Sequence, residues 1–189
     1  MNKYKDFVSS LAKGKIDKLF LNSDKEHAIV VLVNLFQIAN NTLRIFAGSL
    51  CKEVANSTEY VEAISDFIER GGKVRILLNK YDENLAINSN LFKRLAYYIS
   101  EGKDIQVKRC EIKPYLNNDP EKKEIHFTVA DETAYRIETD IEKRTAECNY
   151  NNPVMSKSMA SFFDNLFAQQ DSVGIDLITL FNLAHDGNK

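Results

Sequence analysis

The sequence predicts an α/β protein with a mixed, mostly parallel sheet flanked by helices on both faces. Two patterns carry that class. Short apolar runs at 42–47, 74–78 and 105–110 alternate with segments whose apolar residues recur at helical spacing. A β-α-β-α-β order with right-handed crossovers gives parallel strands covered by helices. Further on, Lys122 to Asp140 alternates with period two on either side of Asp131-Glu132-Thr133, the pattern of a β-hairpin.

Taken in order, Tyr4, Phe7, Val8 and Leu11 space out a short amphipathic helix over 3–13 that ends near Gly14. An extended piece, Ile16 to Leu21, follows. Ser23 and Glu26 have capping-box spacing, with the Ser23 hydroxyl facing the third helical amide. The helix they open runs to about Asn40, with apolar residues around most of its circumference, so it is buried on more than one side. His27, in its first turn, is expected to be an exposed histidine without a partner. Thr42 to Ala47 is a strand. Ser57 opens a helix with Tyr60, Val61, Ile64, Phe67 and Ile68 on one stripe, closed by Gly71-Gly72. Val74 to Leu78 is nearly continuous in apolar residues, as a strand covered on both faces should be. Ser89 caps the next helix, Gly102 ends it, and Ile105 to Cys110 is the third strand. Glu111 to Glu121, with Pro114, Asn117, Asn118, Asp119 and Pro120, has loop chemistry. After the hairpin come a strand at 145–150, a helix with Met155, Met159, Phe162, Phe163, Leu166 and Phe167 on its apolar stripe, and a short amphipathic helix over 175–184.

Composition narrows the class of function. The chain has 189 residues, 44% apolar and 28% charged, which is ordinary for a soluble globular protein. The longest apolar run, Ala28 to Phe36, is too short to span a bilayer, and the first fifteen residues lack a continuous apolar core, so a cytoplasmic protein without membrane insertion is expected. Three cysteines, Cys51, Cys110 and Cys148, with no C-x-x-C spacing, suggest reduced thiols and no structural zinc site. No metal and no cofactor is expected. A net charge of -2 gives no overall attraction for nucleic acid, although lysine and arginine concentrate in the middle third.

The hairpin carries the candidate chemistry. With Ile125, Phe127 and Val129 on one face, the other face presents His126, Thr128, Arg136 and Glu138. Arg136 has two uses there, binding an anion or pairing with Glu138. His126 either performs acid-base chemistry or is held by hydrogen bonds to Glu124, Glu138 or Asp131. At the carboxyl ends of the parallel strands, where ligands bind in open α/β sheets, lie Gly48, Ser49 and Cys51, then Asn79, Lys80 and Tyr81.

From the hairpin the order of elements resembles a phospholipase D-like domain over roughly residues 20 to 168, with the helices at 3–13 and 175–184 as additions to a single domain over 1–189. That family's motif is H-x-K-x4-D on a strand. With Asp131 as the motif Asp, its Lys position is His126 and its His position is Glu124; with His126 as the motif His, the other two positions are Thr128 and Thr133. The first alignment fits the turn better. The resemblance implies a site in which two histidines attack and protonate a phosphodiester while lysines hold the phosphate, completed by a homodimer when a chain carries one motif. Because the motif here is degenerate, the expectation is a domain that binds a phosphate-containing or nucleic-acid-like ligand, or serves as a regulatory module. If the site is active, the candidate catalytic residues are His126, Glu124 and Asp131. Thr128, Arg136, Glu138, Asn149, Ser49 and Lys80 are candidates for ligand binding. The alternatives are an active metal-independent phosphodiesterase or nuclease using His126 from two protomers, and a structural partner that docks through the last helix.

Overall fold

The computed structural model describes residues 2–117 and 119–183. Helix α1 (Asn2–Lys13) and strand β1 (Phe20–Asn22) lead into α2 (Lys25–Ile38), β2 (Thr42–Ala47), α3 (Thr58–Glu69) and β3 (Lys73–Leu78). The one-turn helix α4 (Glu83–Ala86), α5 (Asn90–Ser100) and β4 (Ile105–Arg109) follow. Strands β5 (His126–Ala130), β6 (Ala134–Asp140) and β7 (Thr145–Asn149) precede α6 (Pro153–Phe167), β8 (Val173–Gly174) and α7 (Leu177–Leu180).

Among the described residues the strands form one eight-stranded sheet in the order β1-β7-β6-β5-β2-β3-β4-β8. Its centre is parallel, with Ile45 opposite Ile76 and Ile76 opposite Val107. Every other pairing is antiparallel, so the mixed α/β class holds but the expectation of a mostly parallel sheet is corrected. For β5–β6 and β6–β7 the reason is loop length. The β5–β6 turn is three residues long and β6–β7 turns over Ile141 to Arg144, too short for a parallel crossover.

Helices cover both faces. On one, α1, α2, α3, α5 and α7 share a core with Ile45, Ile76 and Leu78. On the other, α6 packs Met159, Phe163 and Leu166 onto Phe46, Phe127, Val129 and Ile137. Phe127 and Val129 therefore face α6, as the alternation predicts, and the polar set on the same strand faces the opposite side.

The caps differ from expectation at one helix. Ser57 and Ser89 accept hydrogen bonds from the amides of Tyr60 and Phe92, but α2 is capped by Asp24, whose Oδ1 accepts from the His27 amide at 2.7 Å, and not by Ser23. A carboxylate at this position adds attraction to the positive helix end. His27 is likewise not a lone surface side chain. It is half-buried, stacks on Tyr4 at 3.6 Å between ring centroids and places Nδ1 3.3 Å from Asp24 Oδ2. The last helix is shorter than expected. Leu177 and Ile178 are buried within this chain, and position 184 of the expected span lies outside the described residues, as does Asn118 of the long loop.

Candidate functional site

The site forms where β2 ends beside the start of β5. Gly48, just past β2, makes the approach feasible: a Cβ there would lie 3.3 Å from Cε1 of His126. His126 pairs across the hairpin with Glu138 and Thr128 with Arg136, so the four side chains share a face and line one cavity of about 360 Å³. Ala28 and Leu32 of α2, Tyr60 of α3, and Leu50, Val54 and Ala55 of the β2–α3 connection supply much of its apolar wall, and Ser49, Lys52, Lys80, Asp82 and Arg144 also border it.

A chain of charged contacts crosses the site. Lys80 Nζ lies 3.0 Å from Glu124 Oε2, and Asn79 Nδ2 donates to Glu124 Oε1 at 2.9 Å. The same Oε1 is 3.2 Å from His126 Nε2, while His126 Nδ1 is 3.5 Å from Glu138 Oε2. Arg136 donates through one terminal nitrogen to Glu138 Oε1 at 3.1 Å and through Nε to Asn22 Oδ1 at 2.9 Å. Asn22 in turn donates to the Arg144 carbonyl at 2.8 Å. Glu124 is brought in by the end of the long loop, where it bridges to Tyr115. Burial raises the Glu124 carboxyl, but the hydrogen bonds from Asn79 and Lys80 outweigh it and hold its pKa below the ordinary carboxylate value. For Glu138 burial again pushes upward, and His126 together with Arg136 more than offsets it.

The remaining candidates fall elsewhere. Asp131 sits at the opposite end of β5, five residues from His126 and so roughly 17 Å along the strand. Its carboxylate accepts from the amides of Asn40, Asn41 and Thr42 at 3.0, 2.8 and 3.0 Å. Asp131 thus lies apart from the cavity, and its carboxylate holds the start of β2. Asn149 is also apart from the cavity: it donates to Asp17 Oδ1 at 2.8 Å and accepts from the Asn151 amide. Ser49 Oγ accepts from the Cys51 amide at 3.3 Å at the cavity edge. The three thiols are free, and burial pushes Cys148 up to about 12. Part of the mid-chain basic strip is paired locally, with Lys73 and Arg75 on Asp104 and Lys123 on Glu121. Among the described residues no group of three or more His, Cys, Asp or Glu side chains is placed to hold a metal ion, and no helix is long and apolar enough to cross a membrane.

Sequence reasoning missed Tyr60, Asn22 and Arg144. Tyr60 belongs to an apolar helical stripe, and its stripe position conceals that it also lines the cavity. Asn22 gave a weak signal, a polar residue in an otherwise apolar extended piece.

A family model described as a domain of unknown function, DUF7931, matches residues 24–173. The chain belongs to this family. A comparison with curated proteins found no match. Among solved structures, this DUF7931 chain is similar to TrmBL2, an archaeal chromatin protein described as having a novel mode of DNA binding, with TM-score 0.60, 14% identity and 92% of this chain covered. The chain spans 62% of the length of that protein. It is also similar to Nuc of Salmonella typhimurium, a phospholipase D family member, with TM-score 0.57, 13% identity, 85% of this chain and 99% of the other. NucT from Helicobacter pylori matches with TM-score 0.57 and 14% identity over 85% of this chain and 100% of that one. The fold of the DUF7931 chain is phospholipase D-like.

Proposed function

We propose that this domain uses a phospholipase D-like scaffold to bind a small anion-bearing ligand in a recognition or regulatory role, without hydrolysing a phosphodiester. The observation that carries the reading is Glu124. With Asp131 taken as the motif Asp, the attacking histidine is replaced by this carboxylate, engaged by Lys80, Asn79 and His126.

A phosphoryl-transfer site works by surrounding the phosphate with positive charge and donors. Here the two carboxylates beside His126 each already face a cation, Glu124 on Lys80 and Glu138 on Arg136. Both ring nitrogens of His126 also face carboxylate oxygens. A nitrogen that donates to a carboxylate offers no lone pair for attack. A phosphodiester drawn to His126 would meet Glu124 and Glu138 with little uncompensated positive charge to offset them. What remains is a cavity within the size range of small-molecule sites. The DNA-binding neighbour and the nuclease-like fold bring nucleotides in as candidate ligands. A long polyanion is less well served, because Lys73, Arg75 and Lys123 are paired locally.

The test is turnover of bis-p-nitrophenyl phosphate and of single-stranded DNA by the full chain, with His126→Ala as control. The expected result is no turnover above background in either protein. Hydrolysis that His126→Ala abolishes would overturn the reading and point to the enzyme that pairs His126 from two protomers of a homodimer, whose assembly sedimentation would then report.

A further inference from the structure

We infer that the cavity beside His126 takes a small monocarboxylate with an apolar body, its carboxylate received by Arg136, Thr128 and Tyr60. The inference rests on the reading of the cleft as a non-hydrolytic ligand site and specifies its ligand.

Three buried polar side chains line this cavity with donors that no other side chain or carbonyl uses among the described residues. Tyr60 is 1% exposed and Thr128 5%, and neither hydroxyl has a hydrogen-bond partner among the described residues. Arg136, 6% exposed, uses Nε on Asn22 and one terminal nitrogen on Glu138, and its second terminal nitrogen has no partner among the described residues. The sealed side-chain atoms that lack a partner are others, Asn79 Oδ1 and Ser156 Oγ. The free donors of Tyr60, Thr128 and Arg136 are therefore not fully sealed, and all three residues line the cavity. They are also neighbours. Thr128 and Arg136 are cross-strand partners. Burial pushes the Tyr60 hydroxyl up while the nearby charge of Arg136 works against it.

Water can serve such groups when the cavity is empty. Their chemistry selects among solutes. A guanidinium nitrogen and two hydroxyls offer at least three donors to one planar acceptor, which a carboxylate satisfies with its two oxygens. Charge limits the ligand to a monoanion. Glu138 already sits 3.1 Å from the same guanidinium, and a dianionic phosphate monoester would carry a second negative charge against it. An amine would meet Arg136 with like charge. On the other side, Ala28, Leu32, Leu50, Val54 and Ala55 present apolar surface, which calls for a hydrocarbon body on the ligand.

Calorimetric titration of the full chain with butyrate, octanoate and phenylacetate, against n-octyl phosphate and n-octylamine, tests the assignment. At least one carboxylate is expected to bind, with octyl phosphate about tenfold weaker or worse and octylamine silent. Tyr60→Phe and Thr128→Val each delete one hydroxyl that has no hydrogen-bond partner among the described residues, so melting temperatures should hold or rise. Carboxylate affinity should fall about threefold to tenfold in each variant. Absence of binding by all three carboxylates, or affinity unchanged in both variants, overturns the inference. Tighter binding of octyl phosphate than of octanoate overturns the carboxylate assignment and leaves the ligand-binding reading intact, whereas only His126-dependent hydrolysis removes that reading.

Discussion

The Asp131 carboxylate gathers the amides of Asn40, Asn41 and Thr42, and its own amide donates to the Thr42 carbonyl at 2.8 Å, so one side chain closes the α2–β2 connection. It does so from φ 54°, a left-handed conformation that Asp tolerates better than most residues. Asp131→Ala strips the acceptor from three amides and keeps the backbone cost, so a loss of about 2–3 kcal/mol is expected in urea denaturation, with Asp131→Asn intermediate. Carboxylate binding by the folded protein should be unchanged, since the cavity lies at the other end of the strand. A changed affinity in Asp131→Asn would return the residue to the site. The sequence places an Asp before the turn, which is all the motif requires, but it cannot show which way the carboxylate points. The same holds at Glu124 and His126, whose polar character is legible while the contacts that neutralise them depend on Asn79 and Lys80 at the end of β3 and on Glu138 from the return strand.

At the scale of elements, the strands and helices of the β2 to β4 region are legible because each is a buried run or a stripe of five or more residues closed by a cap. Helix α4 and strand β8, of four and two residues, fall below the length over which periodicity can be seen. Strand β1 is shifted from the expected 16–21 to Phe20–Asn22 because its partner, β7, lies more than a hundred residues onward and sets where pairing begins. The stripe on α6 is read correctly as core. That helix alone supplies the helical part of the second hydrophobic cluster, with Phe163 fully buried, edge-on to Phe127 at 6.3 Å and stacked on Phe167 at 5.5 Å. Phe163→Ala is expected to cost about 3–5 kcal/mol by chemical denaturation. Ligand affinity of the folded fraction should survive, because the cavity opens on the other face of the sheet. Loss of binding without loss of stability would contradict that separation of faces.

For the whole molecule, the charged chain at the site joins β1, the end of β3, the long loop and the β5–β6 hairpin, so its protonation bears on global stability. Glu124 and Glu138 both titrate below the ordinary 4.5 in the folded protein. An unfolded chain then binds more protons than the folded one as pH falls, and stability follows pH with a positive slope. The contribution is present in full above the unfolded value and is lost as pH falls through 4.5 and on through the lower folded values. Asp140, at the end of β6, and exposed Glu53 shift in the same direction, but solvent screens both, so the more buried pair should dominate. Urea denaturation between about pH 7 and pH 3 should therefore show falling stability on the acid side. Glu124→Gln and Glu138→Gln each remove one titrating group, which should lower stability at neutral pH and flatten the acid limb. Acid limbs parallel to wild type in both variants would mean that the carboxylates flanking His126 do not govern the acid response.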